Sequence, residues 1–439
     1  MLRRKMYDYL MNWKRTKGRE CLLVKGARQV GKTYVIEEFA HNNYESVVEI
    51  NFYRDSSLRY IFEGDRSADE IYKRMSASIP NLKLVKGSTL IFLDEIQRCS
   101  DARTAMKFLA EDGRYDVIAS GSLLGLAYGM DDDADDKPIE SIPVGYERQV
   151  MMYPLDFEEF LWAYGYGEDT IDWLHGFFER KEKVPEDVNR NFTNLLVEYM
   201  VTGGMPEVVE DYVNCKDFSH VQQIQEKILL SYEDDISRHA VGVEKAKVRK
   251  CFNSIPRQLA REMKKFKYSE VETRSTSRKY GDSVQWLADA NLALLCTNNE
   301  MPQLPLKASA KENEFKLYMN DTGLLMAMYG FETKKALLRG ELVGPAKGGI
   351  YENYVAPALC SKGYSLQYYK PGDNMELEFV IEYEGDVVPI EVKAGNSSTR
   401  SLNEYIMTYR PKVAFKFITG NVGMSDNKVT LPGYMIMFL

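Results

Sequence analysis

The sequence has no CxxC pair. Its six cysteines, Cys21, Cys99, Cys215, Cys251, Cys296 and Cys360, are widely scattered. This excludes a zinc ribbon or a disulfide framework and fits a reducing compartment. The four histidines, His41, His175, His220 and His239, show no ligand spacing. No run of about 18 apolar residues is present, so no membrane span is expected. The amphipathic start MLRRKMYDYLMNWKR lacks the apolar core and cleavage site of a signal peptide. A cytoplasmic protein is expected. Internal repeats and long low-complexity tracts are also missing. The net charge of -8 argues against a uniformly basic coat, though not against a local basic surface. The 439 residues are enough for several cores, and at typical domain sizes for about three domains.

What is present begins with short apolar runs alternating with helical patterns. Leu22–Val24, Val47–Phe52, Leu90–Leu93 and Val117–Ala119 read as strands of a buried parallel sheet, hence an α/β fold. Ligands of such sheets sit at the carboxyl ends of the strands. Asp131–Asp136 holds five aspartates and one alanine, which reads as a solvated loop. From Pro154 to Gly330 the pattern is mostly helical, as in Phe157–Tyr164, Val188–Val201 and Val221–Ile236. Strand patterns return at Ser365–Tyr369, Glu376–Ile381 and Val387–Val392.

The run Gly26-Ala27-Arg28-Gln29-Val30-Gly31-Lys32-Thr33 follows the first strand and opens a helix. It matches GxxxxGK[ST], the phosphate-binding loop. Gly26 and Gly31 permit the close backbone approach that lets amides wrap a phosphate, and the helix start adds a favourable dipole. Lys32 is expected to reach the β- and γ-phosphates and Thr33 to ligate Mg2+. The strand at Leu90 ends in Asp94-Glu95. Asp94 is placed to hold the metal and Glu95 to polarise the attacking water. Ser120-Gly121-Ser122 closes a neighbouring strand, where Ser120 or Ser122 can orient water or read the γ-phosphate, or simply make a turn.

With Phe92-Leu93-Asp94-Glu95-Ile96-Gln97, Ala119-Ser120-Gly121-Ser122 and Val144-Gly145-Tyr146-Glu147-Arg148, the sequence resembles prokaryotic AAA-type ATPases that carry a C-terminal nuclease-like domain of unknown function. Pro154-Leu155-Asp156-Phe157-Glu158-Glu159-Phe160, Gly203-Gly204-Met205-Pro206-Glu207, Lys316–Leu325 and Pro389–Gly395 extend the resemblance over nearly the whole chain. It implies an AAA core (1–153), a helical region with a winged-helix-like segment (154–335) and a restriction-endonuclease-like domain (336–439). It implies ATP rather than GTP, and no guanine-reading Lys-x-Asp run contradicts this. Arg148 stands where the group carries an arginine, to steady the transition state or to make a salt bridge. AAA-type cores often form rings by lending an arginine to a neighbour. Arg148 and Arg238 are candidates for that role, and homo-oligomers for the assembly.

Glu391 and Lys393, two apart on a strand, project to one face. With Glu378 on the preceding strand they resemble the PD-(D/E)XK nuclease set, Glu352 being the further acid on an early helix. The carboxylates of that set hold magnesium and its lysine helps activate water. The family generally carries aspartate where this chain has Glu378, and magnesium demands close geometry. Three readings stay open: an active nuclease, a degenerate fold used for binding or assembly, or an amphipathic strand with solvated charges.

Glu244–Tyr280 holds twelve Lys or Arg against four acids. It is a candidate DNA contact or a solvated helical face, with Tyr268 and Trp286 either stacking or core. Three functions follow: an ATPase whose nucleotide state moves the C-terminal domain, a nucleotide switch with negligible turnover, or a nucleotide-gated nuclease.

Overall fold

The computed structural model describes residues 2–123, 145–240, 245–372, 374–395 and 399–439. The aspartate run 131–136 lies outside the described residues, as do Val144 and Glu244.

Strands β1 (Cys21–Gly26), β2 (Ser46–Asn51), β3 (Thr89–Asp94), β4 (Asp116–Ser122) and β5 (Glu147–Met151) form one sheet, ordered β2-β3-β4-β1-β5. Every pairing in it is parallel. Period-two alternation serves two cores. Leu22, Val24, Leu90, Phe92 and Ile118 face one layer of side chains, and Cys21, Leu23, Ile91, Leu93 and Val117 face the other. Helices α1 (Lys5–Thr16), α2 (Lys32–Asn43), α3 (Ala68–Ser78) and α4 (Ser100–Asp112) accompany the sheet. Because β1 lies between β4 and β5, the loop leaving it opens at the point where strand order reverses, the usual ligand crevice.

A helical layer follows: α5 (Phe157–Ala163), α6 (Glu168–Arg180), α7 (Glu186–Thr202), α8 (Pro206–Cys215) and α9 (Phe218–His239). The Pro-Leu-Asp-Phe box starts α5 with a reciprocal cap: Asp156 accepts from Glu159 N while Glu159 accepts from Asp156 N. Next come α10 (Lys245–Leu259), α11 (Tyr268–Val271), α12 (Ser277–Asp289) and a hairpin of β6 (Ala293–Asn299) and β7 (Ala310–Met319). The mostly helical reading of this region missed both strands. β7 begins with the charged Lys-Glu-Asn-Glu and only then turns apolar, so it shows no clean alternation.

The hairpin joins a larger sheet. After α13 (Thr322–Tyr329), α14 (Phe331–Leu338) and α15 (Pro345–Ser361) come β8 (Gln367–Gly372), β9 (Met375–Tyr383) and β10 (Asp386–Val392). Helix α16 (Arg400–Tyr409) and strands β11 (Ala414–Ile418), β12 (Gly423–Ser425) and β13 (Lys428–Pro432) complete the unit. The order is β12-β13-β11-β10-β9-β8-β6-β7. Strands of this sheet thus begin ahead of residue 336, where the third domain was expected.

One junction binds the regions. Asp321 accepts hydrogen bonds from Gly204 N (2.6 Å) and from Leu324 N (2.8 Å), capping α13. A Cβ on Gly204 would sit 2.0 Å from Leu155 O, and one on Gly323 2.4 Å from Thr202 O. No side chain fits at either position. The Gly-Gly-Met-Pro and Asn-Asp-Thr-Gly segments are therefore two halves of a single contact. A continuous apolar core runs through it, from Met6 to Met437.

Candidate nucleotide site

At the carboxyl end of β1 the chain makes a tight loop. A Cβ on Gly26 would lie 2.4 Å from Met152 O, and Gly31 has a left-handed backbone (φ +90°). Gln29 is left-handed too (φ +64°), a conformation unusual for a residue with a side chain. The loop is braced from outside. Arg4 donates to Val30 O (2.8 Å), to Tyr153 O (2.7 Å) and to Glu159 (3.0 Å). Pro206 lies 3.4 Å from where a Cβ on Gly31 would be. The amphipathic start of the chain therefore supports the phosphate loop, a role its sequence did not announce.

Lys32 is 8% exposed, and its ammonium donates to Gly26 O (3.1 Å) and Ala27 O (2.8 Å). These bonds satisfy protons without neutralising charge. Burial accordingly pulls the Lys32 pKa down to about 8, partly offset by Glu95 and Asp94. A buried cation held only by carbonyls suits an anion such as a phosphate. The site's residues therefore fit a nucleotide.

Beside it, Thr33 Oγ1 lies 3.1 Å from Asp94 Oδ2, and Asn51 Nδ2 donates to the same oxygen (2.7 Å). Ser120 Oγ donates to Asp94 Oδ1. Thr33 and Asp94 thus stand together as a hydroxyl and a carboxylate, a donor set of oxygens that fits Mg2+. Ser120 serves Asp94 rather than standing open at the strand end. Glu95 follows with a left-handed backbone (φ +54°), strain of the kind that concentrates at functional positions. Its carboxylate accepts from Gln97 Nε2, which also lies 3.4 Å from Ser122 Oγ.

Asn51 and Gln97 were missed in the sequence. Asn51 pairs in register with Asp94, and its signal was its place at the end of the second predicted strand. Arg148 lies elsewhere. On β5 it stands opposite Leu22, four residues or about 13 Å along β1 from Gly26, and pairs with Glu20 at 2.5 Å. It is not beside the phosphate loop of its own chain. Of the remaining loop residues, Ala27 and Val30 are buried, while Arg28 and Gln29 turn toward α9: Arg28 pairs with Asp235, and Gln29 donates to Ser231 (3.3 Å).

A family model for an AAA domain matches residues 18–161. Residues 18–161 form an AAA-type P-loop ATPase domain. Residues 193–335 and 347–432 match two domains of unknown function, DUF8612 and DUF4143. No curated protein matches the chain. Among solved structures, the Walker-type ATPase PABY2304 of Pyrococcus abyssi is similar. It is 13% identical, with a TM-score of 0.43, over 75% of this chain and 96% of that one. The Aeropyrum pernix ORC1 protein, solved in complex with DNA, is 12% identical (TM-score 0.29) over 76% of this chain and 92% of its own. Drosophila ORC bound to DNA is 14% identical (TM-score 0.26) over 74% of this chain and 85% of its own. Among the described residues, no helix is long and apolar enough to cross a membrane.

The second set of charged residues is built differently. Lys393 Nζ donates to Glu378 (2.7 Å) and lies 3.7 Å from Glu391, and Val392 N also donates to Glu378 (3.1 Å). Glu352 meets Lys264 (3.0 Å), Lys316 (3.4 Å) and the Tyr318 hydroxyl (3.0 Å). Lys316, 1% exposed, also meets Glu376 (2.8 Å), which Lys370 joins (3.1 Å). Burial works against the Glu376 carboxylate, yet Lys316 and Lys370 hold it down at about 2. Glu391 has less help, and burial pushes it up to about 7. Among the described residues, Asp211, Cys215 and His220 bring ligand atoms within 4.8 Å of one another; Glu352, Glu378 and Glu391 do not form such a set.

The basic stretch stays mostly at the surface, with Lys264 its buried cation, and several of its cations pair with carboxylates of the same chain. Lys250 and Lys279 pair with Glu272, Arg261 with Glu270, Lys264 with Glu352 and Lys265 with Glu314. Trp286 is buried in the core, and Tyr268 packs edge-on against Phe266 and Phe315.

Proposed function

We propose that the chain hydrolyses ATP with Mg2+ and passes its nucleotide state to the C-terminal unit. The observation that carries this is the buried, un-neutralised Lys32 beside the Thr33–Asp94 pair and Glu95. Lys32 holds the β- and γ-phosphates, and the loop from Gly26 to Thr33 wraps them with its amides. Thr33 and Asp94 would hold the metal, which when bound would supply positive charge against the phosphates. Asn51 and Ser120 fix the Asp94 carboxylate. Glu95 takes the proton of the attacking water once Gln97 yields its hydrogen bond. The test is steady-state ATP hydrolysis by wild type, Lys32→Ala and Glu95→Gln. Turnover lost in both variants supports the reading; a wild type no faster than Lys32→Ala sinks it in favour of a nucleotide switch.

For the C-terminal unit we infer binding or assembly rather than cleavage. Glu352, Glu376 and Glu378 already have lysine partners, and among the described residues Glu352, Glu378 and Glu391 do not gather as a set of metal-ligand atoms. A supercoiled plasmid with Mg2+ or Mn2+ is expected to stay intact. Nicking that Glu391→Ala abolishes would reverse this inference. A role for the 244–280 stretch on DNA is secondary, since five of its twelve cations already have carboxylate partners.

A further inference from the structure

Two consecutive residues of the phosphate loop reach one face of α9. Arg28 forms an ion pair with Asp235, and Gln29 donates to Ser231, one helical turn earlier. The Asp235 side chain is 1% exposed, and among the described residues neither of its oxygens receives a regular hydrogen bond. A carboxylate in that position is costly for packing alone, because burial disfavours its charge. Burial does raise Asp235, to about 6, with Arg28 and Arg238 opposing the rise and Asp234 and Glu95 adding to it.

The other end of α9 is tied to the junction. Gln225 donates to Val201 O (3.1 Å) and Thr202 O (2.7 Å) and accepts from Lys334, and Gln222 donates to Ala327 O (3.4 Å). Ten residues, about 15 Å of helix, separate Gln225 from Asp235. One rigid element thus touches the phosphate loop at one end and the start of the C-terminal unit at the other.

We propose that Asp235 is a nucleotide-state latch: it holds Arg28 in the nucleotide-free protein, and the phosphates of ATP compete with it for that guanidinium and release the end of α9. The latch rests on the ATP reading above. Asp235 is a positioning residue, since it acts through Arg28.

The sign of one substitution separates a latch from a mere clip. Mg·ATP is titrated calorimetrically into full-length wild type, Asp235→Asn, Arg28→Gln and the double variant. A latch predicts that Asp235→Asn binds ATP more tightly, by about fivefold or more, and that this gain vanishes in the Arg28→Gln background. Unchanged or weaker binding by Asp235→Asn overturns it. Hydrogen exchange gives the second readout, independent of whether Arg28→Gln folds. Amides 231–238 should exchange faster when ATP is added to wild type, and already fast without ATP in Asp235→Asn. Protection unaltered by ATP in wild type also overturns the latch. A wild type that binds no ATP sinks the ATP reading itself, a failure visible in the first titration and distinct from the latch alone failing.

Discussion

The phosphate loop and the C-terminal carboxylate cluster both bury charge at a sheet, and they do it in opposite ways. At the loop, Lys32 rests on two carbonyls and stays un-neutralised. In the cluster, Lys316 sits between Glu352 and Glu376, each carboxylate shared with a further lysine. Buried charge that is matched within the protein is architecture. Buried charge left unmatched marks the place of a ligand. The contrast tells more than either sequence motif, since GxxxxGK[ST] and E-x-K both look like chemistry on paper.

The comparison can be broken most decisively by substituting the two lysines. Lys32→Met should abolish ATP binding yet raise the melting temperature, because it removes a buried, uncompensated cation. Lys316→Met should lower stability by about 1–3 kcal/mol, as it leaves buried Glu352 to Lys264 and half-buried Glu376 to Lys370; thermal unfolding reads both, and equal signs would refute the contrast. Glu95→Gln comes next: turnover should fall about 10²–10⁴-fold with ATP affinity retained, seen by pairing hydrolysis with calorimetry.

A pH series sharpens the point. Lys32 titrates near 8, below its usual value, so its charge is full below that pH and lost above it. ATP requires the charged form. Affinity should be flat up to about pH 8 and then fall by up to about tenfold per unit. In the cluster, Glu391 is raised to about 7, so its ionisation costs stability as pH rises from the ordinary carboxylate range through 7. Glu391→Gln should therefore gain a few degrees in melting temperature at pH 8 and nothing at pH 4. The smallest effect is expected of Arg148→Ala, with turnover within about twofold of wild type, since Arg148 lies about 13 Å down β1 from the loop. A large loss that depends on protein concentration would instead place it in a neighbour's site.

The sequence showed what is contiguous. The phosphate loop, Asp94-Glu95 and the parallel core were legible because each is a short run with its own periodicity. Arg4, Asn51, Gln97 and Asp235 were not, since each gains its role from a partner distant in sequence or, for Gln97, from a two-residue turn. Lys316 was visible only as part of a family landmark; its two carboxylates come from α15 and β9. The hairpin β6–β7 escaped because the short apolar half of β6 runs into Thr-Asn-Asn and that of β7 follows a charged half.

Three family models divide this chain, but the apolar core from Met6 to Met437 does not. Tyr434 near the far end bonds Asn189 (3.0 Å), and Asn421 bonds Val184 (2.7 Å). A cut near residue 335 would expose apolar surface on both fragments, and neither should stay in solution alone. In evolutionary terms the three stretches cannot be exchanged like beads. A change in one must be tolerated by the others, because all three share that core.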